Sequence, residues 1–438
     1  MLDIKFIRQN PEIVKEACRK KQAKIDIDLL LEVDEKKRKL LQTLEEIRAK
    51  KNKASLQIRE LKNEEEKKKI ILEMRELDKD SGEIAKNLDE SENKFNDLMS
   101  VIPNIPLDSV PVGADERSNV VLKEVGEKPK FDFEPKDYLE IAEKLDLIDI
   151  KRASKVVGSR FGYLKRELAL LEFALISFAF KVLTSEDITK KIADSIKKGY
   201  STKIFTPIIP PQMINPDTYK RMARLSEKDK SERYYLPDDD LYLIGSAEHT
   251  LGPMHMDEII DEDEFPIRYV GFSTCFRREA GAYGKDTKGI LRVHQFDKVE
   301  IESFVVPENS ILEQDFFIAI QEYLMKSLEL PYRVVLLCAG EMGGPDARQV
   351  DIETWMPGEN KYRETHSADL MTDYQSRRLN TRVRRKNGKA ELVHMNDATA
   401  FAIGRTLIAI IGNYQQKDGS LSVPKVLQKY TGFKKIKR

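Results

Sequence analysis

Over residues 34–94 roughly half of the side chains are charged, there is no proline and Gly82 is the only glycine, yet apolar residues return at intervals of seven. Val33, Leu40, Ile47, Ala54 and Leu61 keep the interval, with Leu44 and Ile58 beside them. Ile70, Leu77, Ile84 and Leu98 take it up again, joined by Met74, Leu88 and Phe95. A seven-residue apolar repeat in a charged background admits few structures, because it draws a narrow seam along a helix that must be covered by another helix. The repeat breaks at residues 63–66. The spacing therefore predicts two long helices within residues 30–100, turning at 63–66 and folding back as an antiparallel hairpin. The ordinary use of such a segment is a dimerising coiled coil or spacer with a solvated face, and nothing in the hairpin itself names a nucleic acid as its partner.

The remaining chain is long enough, within 438 residues, for one or two further domains with cores of their own. Lys+Arg and Asp+Glu both number 75, so net charge does not argue for a polyanionic partner and a basic surface would have to be local. Cys18, Cys275 and Cys338 are too few and too scattered for a disulfide framework or a zinc cluster, and no zinc is expected. The first residues lack the apolar core of a signal peptide, and no apolar run is long enough for a bilayer. The expectation is a soluble, cytoplasmic protein with no membrane partner.

Residues 101–113 hold Pro103, Pro106, Pro111 and Gly113, which reads as a domain boundary and divides the chain into 1–112 and 113–438. Beyond it the composition is that of a globular domain. Residues 164–183 form an apolar helix candidate, and short β-branched and aromatic runs follow at 242–244, 267–272, 299–306, 333–337 and 350–355. Strands this frequent, with few helices between them, predict an α+β fold on a mostly antiparallel sheet flanked by helices. There is no internal repeat, and the basic residues 434–438 read as a frayed end.

Neither a phosphate-cradling Gly-x-x-x-x-Gly-Lys-Ser/Thr loop nor a Gly-x-Gly-x-x-Gly after a strand is present. The polar groups concentrate instead in Cys275-Phe276-Arg277-Arg278-Glu279-Ala280-Gly281, Lys285-Asp286-Thr287-Lys288-Gly289 and Arg292-Val293-His294-Gln295-Phe296-Asp297-Lys298-Val299-Glu300. This reads as a strand, a glycine-flanked loop and a returning strand. Arginines at a hairpin base commonly make structural salt bridges; their planar fork also suits a phosphate. Cys275 reads as strand packing.

This stretch resembles the second signature motif of class II aminoacyl-tRNA synthetases in its seryl-tRNA synthetase form, which opens with Phe-Arg-x-Glu and closes with His-Gln-Phe-Asp-Lys-Val-Glu. Gly199-Tyr200 leading to Pro210-Pro211 resembles the first motif, placed in that family at a homodimer interface. Gly404-Arg405-Thr406-Leu407, with Asn413-Tyr414-Gln415, resembles the third, whose arginine sits on a helix. The likeness spans essentially the whole chain, hairpin and proline-rich linker included. It implies a serine–tRNA ligase that activates L-serine with ATP and Mg2+ or Mn2+ and loads it onto serine tRNA, with selenocysteine tRNA allowed as a second acceptor.

The resemblance also assigns roles. Arg277, Glu279 and Arg405 would be catalytic, Arg277 on the α-phosphate, Glu279 on the adenine amino group and Arg405 over the ring that Phe296 stacks beneath. Arg278, Val293 and the run Glu364-Thr365-His366-Ser367 complete the ATP site, Glu364 and Ser367 being oxygen ligands for the metal. Ser246-Ala247-Glu248, Arg277, Glu300 and Thr399 would hold serine, the two carboxylates facing its ammonium. The His366 ring itself is given no chemistry, nor are His249, His255, His294 and His394. Several positions depart from the family pattern. Ser246 and Thr399 exchange one hydroxyl residue for another, Asp397 stands where an asparagine is usual, and Ala368-Asp369-Leu370 replaces Cys-Ser-Asn. These departures bear on the amino-acid pocket. They keep open a paralogue that passes its adenylate to an acceptor other than tRNA. A catalytically silent coiled-coil adaptor is the reading from another class.

Overall fold

The structure, a computed structural model, describes residues 1–280 and 288–438, apart from the Lys228 side chain. The loop expected between the two strands of the polar stretch falls on residues 281–287 and lies outside the described residues. The chain divides into two compact units, Met1–Pro103 and Asn104–Arg438.

In the first unit the heptad residues form helices Ile27–Glu60 and Glu64–Val101. Asp26 caps the first by accepting from the Leu29 amide, and Asn63 caps the second by accepting from Glu65 and Glu66. The turn is therefore shorter and earlier than the break in the repeat suggests. Glu64, Glu65 and Glu66 are the first helical turn, where carboxylates meet the positive end of the helix dipole. Val33, Leu44, Ile47 and Ala54 on one helix and Leu88, Phe95 and Met99 on the other are buried along the seam. Off-seam Leu56 and Leu72 are exposed. Cross-helix contacts fix the antiparallel direction: the Lys37 ammonium lies 3.8 Å from the Phe95 ring centroid, and Lys51 pairs with Asp78. At the base, Arg8 makes a two-pronged bond to buried Asp34 at 2.7 and 2.8 Å.

The second unit is built on eight strands, Val120–Val125 (β1), Thr206–Ile208 (β2), Ile267–Phe276 (β3), Gln295–Val305 (β4), Tyr332–Leu336 (β5), Arg348–Met356 (β6), Lys361–Thr372 (β7) and His394–Ala402 (β8). Their order is β1-β5-β6-β7-β8-β4-β3-β2, and every pairing is antiparallel except β2 with β3. This is the α+β architecture that the strand density predicts. Val270, Val299, Ile301, Ile352, Ala368, Ala398 and Ala400 pack from one sheet face against helices Arg166–Leu183, Ser310–Ser327 and Ile403–Asn413. Because strand side chains alternate, residues between these point to the opposite face. There Lys298, Glu300, Glu302, Thr399, Asp397, Ser367 and Asp369 gather.

Of the register shifts in the sheet, two adjust that alternation at the polar residues. Ile352 pairs with His366 but Glu353 pairs with Glu364, so Thr365 is the extra residue in β7. Glu364 and Ser367, three apart and on opposite faces of a regular strand, consequently share one face. A second shift sets Val299 opposite Phe401 but Glu300 opposite Thr399. From behind, Gln321 donates to the Ser367 and Thr399 carbonyls at 2.6 and 2.9 Å, and Gln314 to those of Ala368 and Arg348 at 2.8 and 3.0 Å.

The proline-rich segment is pinned to this unit, the Asn104 amide donating to the Pro345 and Met371 carbonyls at 2.8 Å each. The basic C-terminus is not frayed, which corrects the expectation. Lys435–Ile436 pairs with Leu421–Ser422, buried Ile436 anchors it in the core, and Lys435 binds Asp418 at 2.8 Å. A single apolar residue among four cations suffices to dock the segment.

Candidate active site

On the polar sheet face lies a cavity of about 340 Å³ walled by Arg277, Glu279, Val293, Phe296, Lys298, Glu364, Thr365, Ser367, Thr399, Gly404 and Arg405, among others. β3 delivers Arg277 just past its end and β4 returns Phe296 beside it, since Phe296 pairs with Cys275 in the ladder. The Arg277 guanidinium is anchored at one edge, Nε donating to the Gly245 carbonyl at 3.1 Å, and lies 5.4 Å from the Phe296 ring centroid. Glu279 has a left-handed backbone (φ 52°) and accepts from Arg292 at 2.7 Å. Arg405, on helix Ile403–Asn413, donates to the Glu364 carbonyl at 3.0 Å and stands 3.2 Å from its carboxylate. The Ser367 and Thr399 hydroxyls are 3.4 Å apart. Three arginines, two hydroxyls, one aromatic ring and carboxylates thus share one space.

Lys298 links the cavity to a second, fully buried cluster. Its ammonium donates to the Ser246 hydroxyl at 3.0 Å, pairs with Glu300 and lies 3.9 Å from Glu248. Ser246 in turn lies 3.0 Å from Glu248 and 3.3 Å from Glu300. Burial opposes the charge on Glu248, but Arg224 and Lys298 outweigh it and hold this carboxyl well below the usual range. Burial pushes Glu300 up to about 7, against the pull of Lys298 and with the Glu248 charge adding to it. His249 accepts at Nδ1 from the Gly245 amide at 3.1 Å, with the Tyr219 hydroxyl 2.8 Å away. Its proton then sits on Nε2, which faces Glu248 at 3.5 Å.

Most of the residues singled out from the sequence meet in the cavity or in the buried cluster beside it, but two side chains point elsewhere and a third, on the cavity wall, turns its hydroxyl away. Arg278 is turned away, its guanidinium 5.7 Å from the Tyr234 ring centroid. His366 is buried against Phe401 at 5.8 Å between ring centroids, and burial lowers its pKa to about 3. The Thr365 hydroxyl is engaged with Thr354 at 2.7 Å. Ala247 is buried and precedes the short helix Glu248–Leu251 that carries Glu248. Cys275 is fully buried and its thiol is pushed up to about 12 by burial, as strand packing requires. Sequence reasoning missed Arg224, which lies 3.3 Å from both Glu248 and Asp397. Its only sequence signal is the unmatched charge of Asp397.

Two family models match the chain. Residues 1–106 match the seryl-tRNA synthetase N-terminal domain, and residues 232–414 match the tRNA synthetase class II core domain (G, H, P, S and T). The serine–tRNA ligase of Thermodesulfovibrio yellowstonii is 42% identical over 100% of both chains. Among solved structures, the Pyrococcus horikoshii seryl-tRNA synthetase complexed with ATP superposes with a TM-score of 0.89 at 40% identity, covering 100% of this chain and 99% of that one. The cytoplasmic serine–tRNA ligase of Naegleria fowleri in complex with AMP gives 0.82 at 33% identity, again with 100% and 99% covered. A helical hairpin joined to an antiparallel sheet that carries this site, with relatives matching from end to end, shows that the chain belongs to the seryl-tRNA synthetase family of class II aminoacyl-tRNA synthetases.

Proposed function

We propose that this chain activates L-serine with ATP and transfers the seryl group to the 3′ end of serine tRNA, with selenocysteine tRNA as a further acceptor. The observation that carries the reading is the joining, through Lys298, of an arginine-rich cavity to a buried carboxylate cluster. One suits a triphosphate and the other an ammonium group. In this reading Phe296 and Arg405 take the two faces of adenine, Glu279 accepts from its amino group, and Val293 closes the wall. The free edge of Arg277 meets the charge that develops on the α-phosphate as the serine carboxylate attacks it and pyrophosphate leaves. A donor fixed in advance, as the bond to Gly245 fixes Arg277, pays no reorganisation at that moment. Ser246, Glu248, Glu300 and Thr399 hold serine, the carboxylates gripping its ammonium.

Glu364 and Ser367 offer only oxygen donors, and the bulge at Thr365 sets them on one face, a donor set that fits Mg2+ or Mn2+. Such an ion, when bound, would neutralise phosphate charge. Charge from Arg277, Arg292 and Arg405 comes from the chain itself.

The hairpin serves as the tRNA arm. Its helices of 34 and 38 residues extend roughly 50–57 Å at 1.5 Å per residue, enough to reach RNA far from the reacting atoms. The homodimer rests on the resemblance of segment 199–211 to the family's interface motif, and Ile209 within it is 85% exposed. Among the described residues no single helix is long and apolar enough to cross a membrane, and a cytoplasmic location follows from the proposed tRNA substrate. The test is to replace residues 34–94 with a short Gly/Ser linker. Serine-dependent ATP–pyrophosphate exchange should persist while charging of total tRNA is nearly lost. Equal loss of both activities would make the arm structural, and unchanged charging would refute it as the tRNA arm.

A further inference from the structure

Two departures from the family pattern, Asp369 and Asp397, lie 28 positions apart in sequence but opposite one another in the β7–β8 ladder. Asp397 also lies opposite Glu302 in the β8–β4 ladder. Three carboxyl groups therefore occupy one row across adjacent strands on the polar sheet face, and all are at least nine-tenths buried. Both Glu302 oxygens lack a hydrogen-bond partner, as does one oxygen of buried Glu300. An asparagine at position 397 would bring no charge to this row. The aspartate adds an ionisable carboxyl, and a buried carboxyl is retained only where a cation or a proton answers it.

The cation is Arg224. It enters from outside the sheet, just after helix Pro216–Arg221, and its placement is built into the helix end. The Ala223 amide donates to the Lys220 carbonyl at 2.9 Å and the Arg224 amide to that of Tyr219 at 3.3 Å, while Ala223 takes a left-handed φ of 57°. This is a Schellman ending, which turns the next residue sharply off the helix axis. The guanidinium nitrogen Nη2 then stands 3.3 Å from Glu248 Oε1 and 3.3 Å from Asp397 Oδ2. Oxygens of Glu248, Glu300 and Asp397 come within 4.8 Å of one another, a spacing compatible with a metal ion. The chain's own cations already answer that charge, Arg224 between Glu248 and Asp397 and Lys298 against Glu300.

We propose that Arg224 is a positioning residue of the amino-acid subsite, matched to Asp397, and that its clamp between Asp397 and Glu248 keeps Glu248 ionised and aimed at the substrate ammonium. The inference rests on the proposed function, because it needs an ammonium-bearing substrate beside Glu248. The Asp397 departure then keeps serine preference, since its carboxyl is engaged by Arg224 and not presented to the substrate.

The test is a double-mutant cycle on the full chain, Arg224→Met, Asp397→Asn and the pair together. Serine- and ATP-dependent pyrophosphate exchange is measured separately from thermal unfolding. Arg224→Met should raise KM for serine about a hundredfold while KM for ATP stays within about twofold, as loss of one partner from a buried charge pair predicts. Asp397→Asn alone should change KM for serine by less than about tenfold. The double variant should regain at least about tenfold of what Arg224→Met lost, because it removes the buried carboxyl left without its cation. A KM for serine near the wild-type value in folded Arg224→Met would overturn the proposal, as would a double variant no better than the single one. Should Arg224→Met fail to fold, the double variant is compared with Arg224→Lys. A folded double variant with KM for serine within about tenfold of wild type supports the clamp, and a double variant that also fails to fold while Arg224→Lys is fully normal overturns the matched pairing. A wild-type chain that activates no serine sinks the proposed function itself; normal wild-type activity with insensitive variants sinks only the clamp.

Discussion

Arg268 and Glu313 form the most deeply buried ion pair among the described residues of the catalytic unit, both side chains 0% exposed. Arg268 Nε and Nη2 donate to the two Glu313 oxygens at 2.7 and 2.8 Å, and Nη1 donates to the Lys203 and Ser201 carbonyls at 2.6 and 3.2 Å. The Tyr200 hydroxyl also donates to Glu313, and the guanidinium lies 4.3 Å from the Phe316 ring centroid. One side chain thereby ties β3 and helix Ser310–Ser327 to the segment expected at the dimer interface. Arg268→Met would leave a buried carboxylate with only Tyr200 and strip two carbonyls of a donor. Breaking such a pair costs about 3–5 kcal/mol and each lost hydrogen bond about 1, so roughly 5 kcal/mol is expected after methionine refills part of the volume. Glu313→Leu should cost a similar amount by stranding the cation. The double variant Arg268→Met/Glu313→Leu should return to within about 2 kcal/mol of wild type, because no buried charge remains. Trp355 is the only tryptophan and sits on β6, so its fluorescence during guanidinium unfolding reports this unit alone. A loss below about 1 kcal/mol in Arg268→Met, or losses that simply add in the double variant, would refute the reasoning.

The remaining predictions concern the site and its approach. Arg277→Ala should lower pyrophosphate exchange by about 10²–10³-fold with an unchanged melting curve, and near-normal exchange in a folded variant would remove its assigned role. Because burial raises Glu300 to about 7, serine kcat/KM should climb between about pH 6 and 8 as this carboxyl ionises, and Glu300→Gln should flatten the climb. The sign for stability is opposite: the folded chain holds this proton where the unfolded one has lost it, so Glu300's contribution falls as pH rises from its ordinary 4.5 to about 7. Ala223→Gly should stabilise the catalytic unit by about 0.5–1 kcal/mol by relieving the left-handed φ of 57°, with destabilisation in the Trp355 assay as the contrary outcome.

What the sequence makes legible follows from which physical signals are local. The heptads require two covered helices, and the seam residues are buried or half-buried. Alternating apolar runs require strands, and helix 164–183 appears as Arg166–Leu183. The errors fall where one side chain overrides composition. Asn63 caps a helix inside what looks like a turn, and Ile436 docks a tail whose charges suggest fraying. The bulge at Thr365 has no sequence signature, yet it reverses strand parity, bringing Glu364 to the face of Ser367 while His366 points into the core. Arg224 is harder still. It lies in a loop with no motif, and only the register that sets Asp397 beside Asp369 and Glu302 shows why a cation is needed.

The polar sheet face also explains why ATP and serine would bind in one orientation. Residues two apart on a strand are roughly 6.6 Å apart, and neighbouring strands are about 4.8 Å apart, so the face is a grid. One row holds Lys298 and Glu364; the next holds Glu300, Thr399, Ser367 and Asp351; the third holds Glu302, Asp397, Asp369 and Gln349. Beyond the first row stand Arg277, Arg292 and Arg405, so charge runs from cationic to acidic along the strands. Three buried carboxyls in one row cannot all ionise at such spacing, and burial with mutual repulsion holds Glu302 and Asp397 well above the usual range. Glu248, clamped by Arg224, is held ionised and reaches toward the cavity through Ser246 and Lys298. A substrate pair with phosphates at one end and an ammonium at the other matches this polarity in one direction only. Reversal would set phosphates against Glu248 and the ammonium among three arginines. The field thus selects orientation before any individual hydrogen bond forms, and the bond-forming carboxylate is left between the two ends, beside Arg277.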